Sequence, residues 1–399
     1  MIDYMAQNRD VRSENNKIVR EANTLRIIRI LQEVESATVD VLMKKSGLSY
    51  PTAFNIVKGL VEEGIIERRG YASSTGGRQA YLYSICADYG YTLGMHIYDT
   101  WTSLAITNIR GGVVYQYNDH THPKLSELDN IICGRIDTAL EHACIPASKL
   151  LRAGVCISDE LSAKLLAAGI NPAKIVSEHL HVQTELFSDS EVQIFLDRVM
   201  FLSSHMTDYI HIVFSESIDA SVYHGDSKYY KLSPLLKHMT VVPDGALCSC
   251  GKKGCLETYF NGSELLNNYC TFCTSEGLDV DQSRINDRHY FKSLLSLSLT
   301  GDKGAWLTIK TATEHLAMAL SNLMLITGIY HMVLSGLYCS NDIKAFRQLQ
   351  SRMADMLPLG VRDKLDLTMG FALPADCALG VCRLLNSQFV FHLDDSRKK

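Results

Sequence analysis

Between Leu236 and Glu257 the chain reads LKHMTVVPDGALCSCGKKGCLE, the stretch that most restricts what it can fold into. His238, Cys248, Cys250 and Cys255 fall within 18 residues, and one imidazole with three thiolates is the donor set of a closed, four-coordinate zinc site. Gly245, Gly251 and Gly254 let the backbone wrap an ion, and Lys252 and Lys253 favour ionised thiols. The alternatives are a redox-active cysteine pair and plain core thiols. Four donors leave no vacant position, so a structural Zn2+ is expected rather than a catalytic one. The other cysteines, including Cys270 and Cys273 in YCTFC, have no histidine near them in sequence and read as small core residues.

Twelve cysteines in 399 residues, behind a polar start (MIDYMAQNRDVRSENNK) with no apolar export core, argue for reduced thiols and a cytoplasmic protein. With 46% hydrophobic and 21% charged residues, disordered and low-complexity classes are excluded, and the length suits two or three domains. A net charge of −5 excludes coating of nucleic acid or anionic membrane by bulk charge alone. One segment, Leu316 to Cys339, has no Asp, Glu, Lys or Arg. Ser321, Asn322, Thr327, Gly328 and His331 interrupt it, so a buried helix followed by a buried strand is expected instead of a membrane span.

The first 85 residues differ from the rest. They hold 12 Lys+Arg against 10 Asp+Glu, a net +2 that leaves −7 for residues 86–399. NTLRIIRILQEV places Leu25, Ile28 and Leu31 at helical spacing, with Asn23 or Thr24 as cap and an end near Val34. TVDVLMKKSG predicts a second short helix over Val39 to Ser46, stopped by Gly47. In LSYPTAFNIVKGLVEEG, Ser49 is an N-cap, Pro51 lies in the first turn, and Phe54, Val57, Leu60 and Val61 form the expected apolar face. IIERR and AYLYSI then flank a glycine-bearing tip as a hairpin.

That order is a winged helix-turn-helix. Its third helix would enter the major groove of double-stranded DNA, with Ser49, Tyr50, Pro51, Thr52, Asn55 and Lys58 facing the bases. Arg68, Arg69 and Arg78 on the hairpin would meet phosphates or the minor groove. The alternative is a three-helix protein-interaction domain with a solvated basic edge. From about Ala87 onward, strand-like runs (YTLGMHIY, TSLAITNI, VVYQY, YIHIVFS, HMVLS) alternate with helical stretches, which predicts an α/β body.

The H-x9-C-x-C-G-x2-G-C-x-E stretch is similar to the signature of the ROK family of bacterial sugar-responsive repressors and sugar kinases. The winged helix followed by STGGRQAYLYSI and GYTLGMHI resembles the repressor branch, since the kinases lack that head. The resemblance implies a winged helix-turn-helix over 1–85 and a two-lobed, actin-like (sugar-kinase-like) body over 86–399 that carries the zinc segment 236–257. It further implies homodimers or homotetramers, a carbohydrate effector, no membrane, and repression of carbohydrate-utilisation genes. The family's ATP loops depart here: D-x-G-G-T becomes His96-Ile97-Tyr98-Asp99-Thr100, and G-T-G-I-G-G-G becomes Ser215-Glu216-Ser217-Ile218-Asp219-Ala220-Ser221. Cβ atoms and carboxylates in place of glycines block and repel phosphate, so no enzyme activity is expected. In the implied sugar site Asp189 matches the family's aspartate, but Ser188 replaces its asparagine and Leu235 its glutamate. Asp189, His238 and Glu257 remain as the candidate effector residues. The alternatives are a sugar kinase with an appended head and a regulator that has lost sugar sensing.

Overall fold

The computed structural model describes residues 19–73, 79–98, 102–119, 124–200, 208–214, 218–224, 228–231, 235–278, 280, 285, 290–336, 343–370 and 376–388. By contacts the chain divides into two units, residues 1–187 with 377–399, and residues 188–376.

The first unit begins with α1 (residues 19–34), α2 (Val39–Ser46) and α3 (Tyr50–Glu62), followed by the antiparallel hairpin β1 (Ile66–Tyr71) and β2 (Tyr81–Ile85). Local chemistry sets each boundary. Thr38 caps α2 by accepting from the Val41 N–H, Gly47 ends it at a left-handed φ of 70°, and Ser49 caps α3 by accepting from the Thr52 N–H. Ala37 exchanges backbone hydrogen bonds with Tyr83, which ties the α1–α2 turn to the hairpin. Ile27, Ile28, Leu31, Leu42, Val57 and Leu60 form the buried centre.

Two expectations for this region are corrected. Asn23 and Thr24 lie inside α1, where the Thr24 hydroxyl donates to the Arg20 carbonyl at 2.9 Å. Phe54 is not on the apolar face: Ala53, Ile56, Val57 and Leu60 are buried, and a 3.6-residue period through them turns position 54 outward, where it is 42% exposed.

The rest of the first unit is built on β3 (Tyr91–Ile97), β4 (Thr102–Asn108), β5 (Val113–Asp119), α4 (Leu128–Ala143), β6 (Leu150–Ile157), α5 (Asp159–Ala167), α6 (Pro172–Leu180) and β7 (Thr184–Ser188). The strands lie in the order β5-β4-β3-β6-β7, an antiparallel meander joined by a parallel β6. Ile109 and Leu151 of this part join the apolar cluster of the head, so no bare linker separates the two.

The second unit repeats this plan. It contains α7 (Asp189–Met200), β8 (Asp208–Phe214), β9 (Ile218–His224), β10 (Lys228–Lys231), α8 (Glu257–Phe260), α9 (Gly262–Ser275), α10 (Tyr290–Leu299), α11 (Lys303–Thr327), β11 (His331–Gly336), α12 (Ile343–Met356), α13 (Leu359–Arg362) and β12 (Asp366–Met369). Its order, β10-β9-β8-β11-β12, is again a meander with parallel crossovers. The charge-free segment resolves into the C-terminal half of α11 and then β11, as the sequence suggests. Among the described residues no helix is long and apolar enough to cross a membrane. Leu316, Leu320 and Met324 of α11 are fully buried, and each such side chain contributes about 1.5–3 kcal/mol. A polar network lies beneath β8 and β11: His211 Nε2 is 2.7 Å from Ser335 Oγ, whose hydroxyl donates to Asp197, all three at 0% exposure.

The chain finally returns to the first unit as α14 (Cys377–Gln388), which packs on β3, β4 and β6. Asn386 fixes it there, accepting from Thr92 Oγ1 at 2.7 Å and donating to Thr107 Oγ1 and the Asn108 carbonyl. Close approach requires glycine: a Cβ at Gly94 would sit 2.1 Å from the Ala378 carbonyl oxygen. Gly94→Ala is therefore expected to push α14 off the sheet and to cost about 1–3 kcal/mol in urea unfolding.

Candidate functional site

The segment 236–257 forms a compact knot whose turns follow from its glycines. Thr240 and Cys255 form one antiparallel bridge and Leu247 and Lys253 another. The Gly254 N–H donates to the Ala246 carbonyl at 2.8 Å, and the Cys248 N–H to the Lys252 carbonyl at 2.7 Å. Gly254 adopts φ +69°, and a Cβ there would lie 1.5 Å from the Val242 carbonyl oxygen, so no other residue fits.

This knot brings together all four residues expected to bind metal. Their ligand atoms lie within 4.8 Å of one another. His238 Nδ1 is 3.5 Å from Cys248 Sγ, and Cys250 Sγ is 3.7 Å from Cys255 Sγ. Cys248 and Cys255 are buried, whereas Cys250 is exposed. The Lys252 backbone N–H is the main cause that lowers the Cys250 thiol, ahead of the lysine charge. Burial first, then its own donation to the neighbouring sulfurs, pushes the Cys255 thiol up to about 12. One imidazole and three sulfurs at these separations make a group that can hold a metal ion.

Glu257 stands beside the cluster. Its Oε2 is 3.5 Å from His238 Nδ1 and 3.6 Å from Cys248 Sγ, and its Oε1 is 3.5 Å from Lys237 Nζ. Asp189, the third candidate effector residue, is buried at the start of α7, where its Oδ1 accepts from the Ser190 N–H at 2.8 Å. Leu235, where the family's glutamate would stand, is 72% exposed.

In the head, α3 presents Tyr50, Pro51, Thr52, Asn55 and Lys58 outward, all exposed, over a buried face of Ala53, Ile56, Val57 and Leu60. The Ser49 hydroxyl is 2.8 Å from Thr52 Oγ1. Lys58 lies 3.8 Å from Glu62, a solvated pair that holds it weakly. On the hairpin the Arg68 guanidinium lies 4.7 Å above the Tyr81 ring, and Arg69 Nε is 3.7 Å from Glu67. Arg78, with Ser74, Gly76 and Gly77 of the expected wing tip, lies outside the described residues, as do Asp99, Thr100, Ser215, Glu216 and Ser217 of the two loops compared with the ATP loops.

The comparisons with known proteins divide along the same lines. Residues 22–70 match the IclR helix-turn-helix domain, and residues 232–364 match the ROK family. A ROK-like body stands behind a helix-turn-helix match. A solved ROK family transcriptional regulator, a homologue of the E. coli MLC protein, is similar over 93% of this chain and 97% of its own, at 13% identity and a TM-score of 0.70. A ROK glucokinase from Streptomyces griseus, solved with glucose and AMPPNP, is similar over 74% of this chain and 99% of its own, at 16% identity and a TM-score of 0.56. In sequence, the xylose repressor of Bacillus spizizenii is 19% identical over 295 residues, 71% of this chain and 73% of its own. The duplicated five-stranded sheets are thus the sugar-kinase-like ROK fold expected from the sequence.

Two exposed aromatic residues, Tyr71 and Tyr81, escape the sequence reading of the head, and Phe54 takes the face opposite to the one expected. Phe54 stacks on Tyr50 on the outer face of α3, with ring centroids 6.1 Å apart and planes 14° apart. Tyr71 and Tyr81 face each other across the hairpin at 4.7 Å, beneath Arg68. The alternation around Tyr81 in AYLYSI was the only available signal for that pair.

Proposed function

We propose that the protein is a cytoplasmic DNA-binding transcriptional regulator, a repressor of carbohydrate-utilisation genes, whose ROK body senses a small carbohydrate and catalyses no reaction. The observation that carries this reading is the outer face of α3. A capped helix exposes Tyr50, Thr52, Asn55 and Lys58 from a rigid apolar base, beside a hairpin that bears arginine. Ser49, Tyr50, Pro51, Thr52, Asn55 and Lys58 would contact base edges, and Arg68, Arg69 and Arg78 the phosphates. Similarity to the MLC homologue and to the xylose repressor supports a regulator acting on DNA in response to sugar.

Residues 1–85 would act as the reading head and 86–399 as the sensing and assembling body. A dimer or tetramer places two heads on two half-sites, and an effector that changes their separation weakens both contacts at once. His238, Cys248, Cys250 and Cys255 fit a structural Zn2+, which when bound would cross-link the ends of the 236–257 segment. In the effector site, Glu257 and Asp189 would accept hydroxyl hydrogen bonds, with His238 oriented by its Nδ1 contact. Loss of glycine from both expected phosphate loops, and of the family's glutamate at Leu235, supports a body that does not phosphorylate sugar. The Leu235 substitution also favours a second reading, a regulator that binds its operator but no longer answers to a hexose.

Replacing Asn55 with Ala tests the head. Binding to the preferred DNA fragment should weaken by about 1–3 kcal/mol in a gel or anisotropy titration, with random DNA bound nearly as before. Equal weakening on both would remove Asn55 from base readout.

A further inference from the structure

Apart from the 236–257 knot, the described residues contain one more convergence of metal-type donors. His96, Cys156 and Cys377 place their ligand atoms within 4.8 Å of one another, and each residue is 0% exposed. We propose that these three residues bind a second metal ion, a thiophilic divalent cation of the zinc class, inside the first unit.

The placement follows from sheet register and helix docking. His96 on β3 and Cys156 on β6 are Cα partners in a parallel pair, so their side chains emerge from the same face. Two residues earlier on that face the partners are Gly94 and Gly154. Cβ atoms at these glycines would lie 2.1 Å from the Ala378 carbonyl oxygen and 2.5 Å from the Val381 side chain, so this bare pair is where α14 presses onto the sheet. Its first residue, Cys377, thereby comes over the His96–Cys156 pair. Three segments far apart in sequence converge on one point with the backbone of each held in regular structure.

Charge and softness select the ion. Two thiolates, a neutral imidazole and a divalent cation sum to zero, the balance that a fully buried site requires, whereas a monovalent ion would leave an uncompensated negative charge. Hard cations prefer oxygen donors, and none is in the set. Bonds of about 2.3 Å to sulfur and 2.0–2.1 Å to nitrogen place ligand atoms roughly 3.5–4 Å apart, so donors within 4.8 Å need little closing. Three protein donors leave the fourth position to water or another small ligand. Cys382, five residues along α14, shows the contrasting case: its thiol donates to the carbonyls of Thr92 and Ala105 at 3.4 and 3.3 Å and serves as packing.

The test is elemental zinc analysis of the full-length chain, reconstituted with Zn2+ and freed of unbound metal. Wild type is expected to hold one equivalent more than Cys156→Ser or Cys377→Ser, and Cys250→Ser is expected to retain that equivalent. A zinc content that Cys156→Ser and Cys377→Ser both leave unchanged would overturn the proposal. Should these variants not fold, a mercurial thiol titration of wild type and Cys250→Ser with a zinc-sensitive dye replaces them. Release of one equivalent from Cys250→Ser supports the second site, and release of none overturns it.

Discussion

Stripping the Zn2+ proposed for the 236–257 knot, or replacing Cys255 with serine, is expected to cost the second unit more than about 4 kcal/mol of stability, the range reached when a structural ion is lost. Cys255 is fully buried and bridges to Thr240, and the following Leu256 and Phe260 enter the main apolar cluster of that unit. Without the ion, three sulfurs and an imidazole remain crowded together while their chain is bent through left-handed turns at Gly251 and Gly254. Part of that cluster would then loosen along with the knot. Cys144→Ser, at an exposed cysteine ending α4, should stay within about 0.5 kcal/mol. Thermal melts with and without a chelator measure both, and a Cys255→Ser protein as stable as wild type would exclude a structural ion.

The second large effect concerns the wing. Removing Arg68 and Arg69 together should lower the slope of log K against log salt by about 1.8, since each phosphate contact on duplex DNA contributes about 0.9. Arg68 is already oriented, its guanidinium held over Tyr81 within the Tyr71–Tyr81 pair. Arg69 is tied only to Glu67 in an exposed pair 3.7 Å apart, which is weak enough to exchange for phosphate. The double variant should therefore fall furthest behind wild type at low salt, and the gap should narrow by about tenfold between 0.05 and 0.2 M salt. An unchanged slope would mean that the hairpin stem does not touch the DNA backbone.

In the head, α2 and α3 were legible because their boundaries are written in cap chemistry: Thr38, Gly47, Ser49 and Pro51 each occupy the position that their side chain dictates. The 236–257 knot was legible because its donors are neighbours in sequence. Phe54 was misplaced because an apolar residue next to a helical stripe looks like part of it, and only the phase set by Ala53 and Ile56 turns it outward. The doubled sheet was hidden for another reason. β9, IDASVYH, alternates like a half-solvated strand yet buries Asp219 and Ser221 as well as its apolar positions, and β12 is only four residues long. Nor can spacing reveal that Cys377 meets His96, because the return of α14 to the first unit depends on packing against Gly94 and Gly154. The effector residues stand between these cases: His238 and Glu257 are together beside the thiols, and Asp189 is buried on a separate element.

The central claim is tested most directly by letting the purified, full-length protein select fragments from genomic DNA, then titrating the best fragment with and without a panel of sugars and sugar phosphates. The account predicts enrichment of a two-fold symmetric site, bound at least about 10³-fold more tightly than random DNA at physiological salt and weakened by one carbohydrate. Failure to enrich any fragment above random DNA would contradict it.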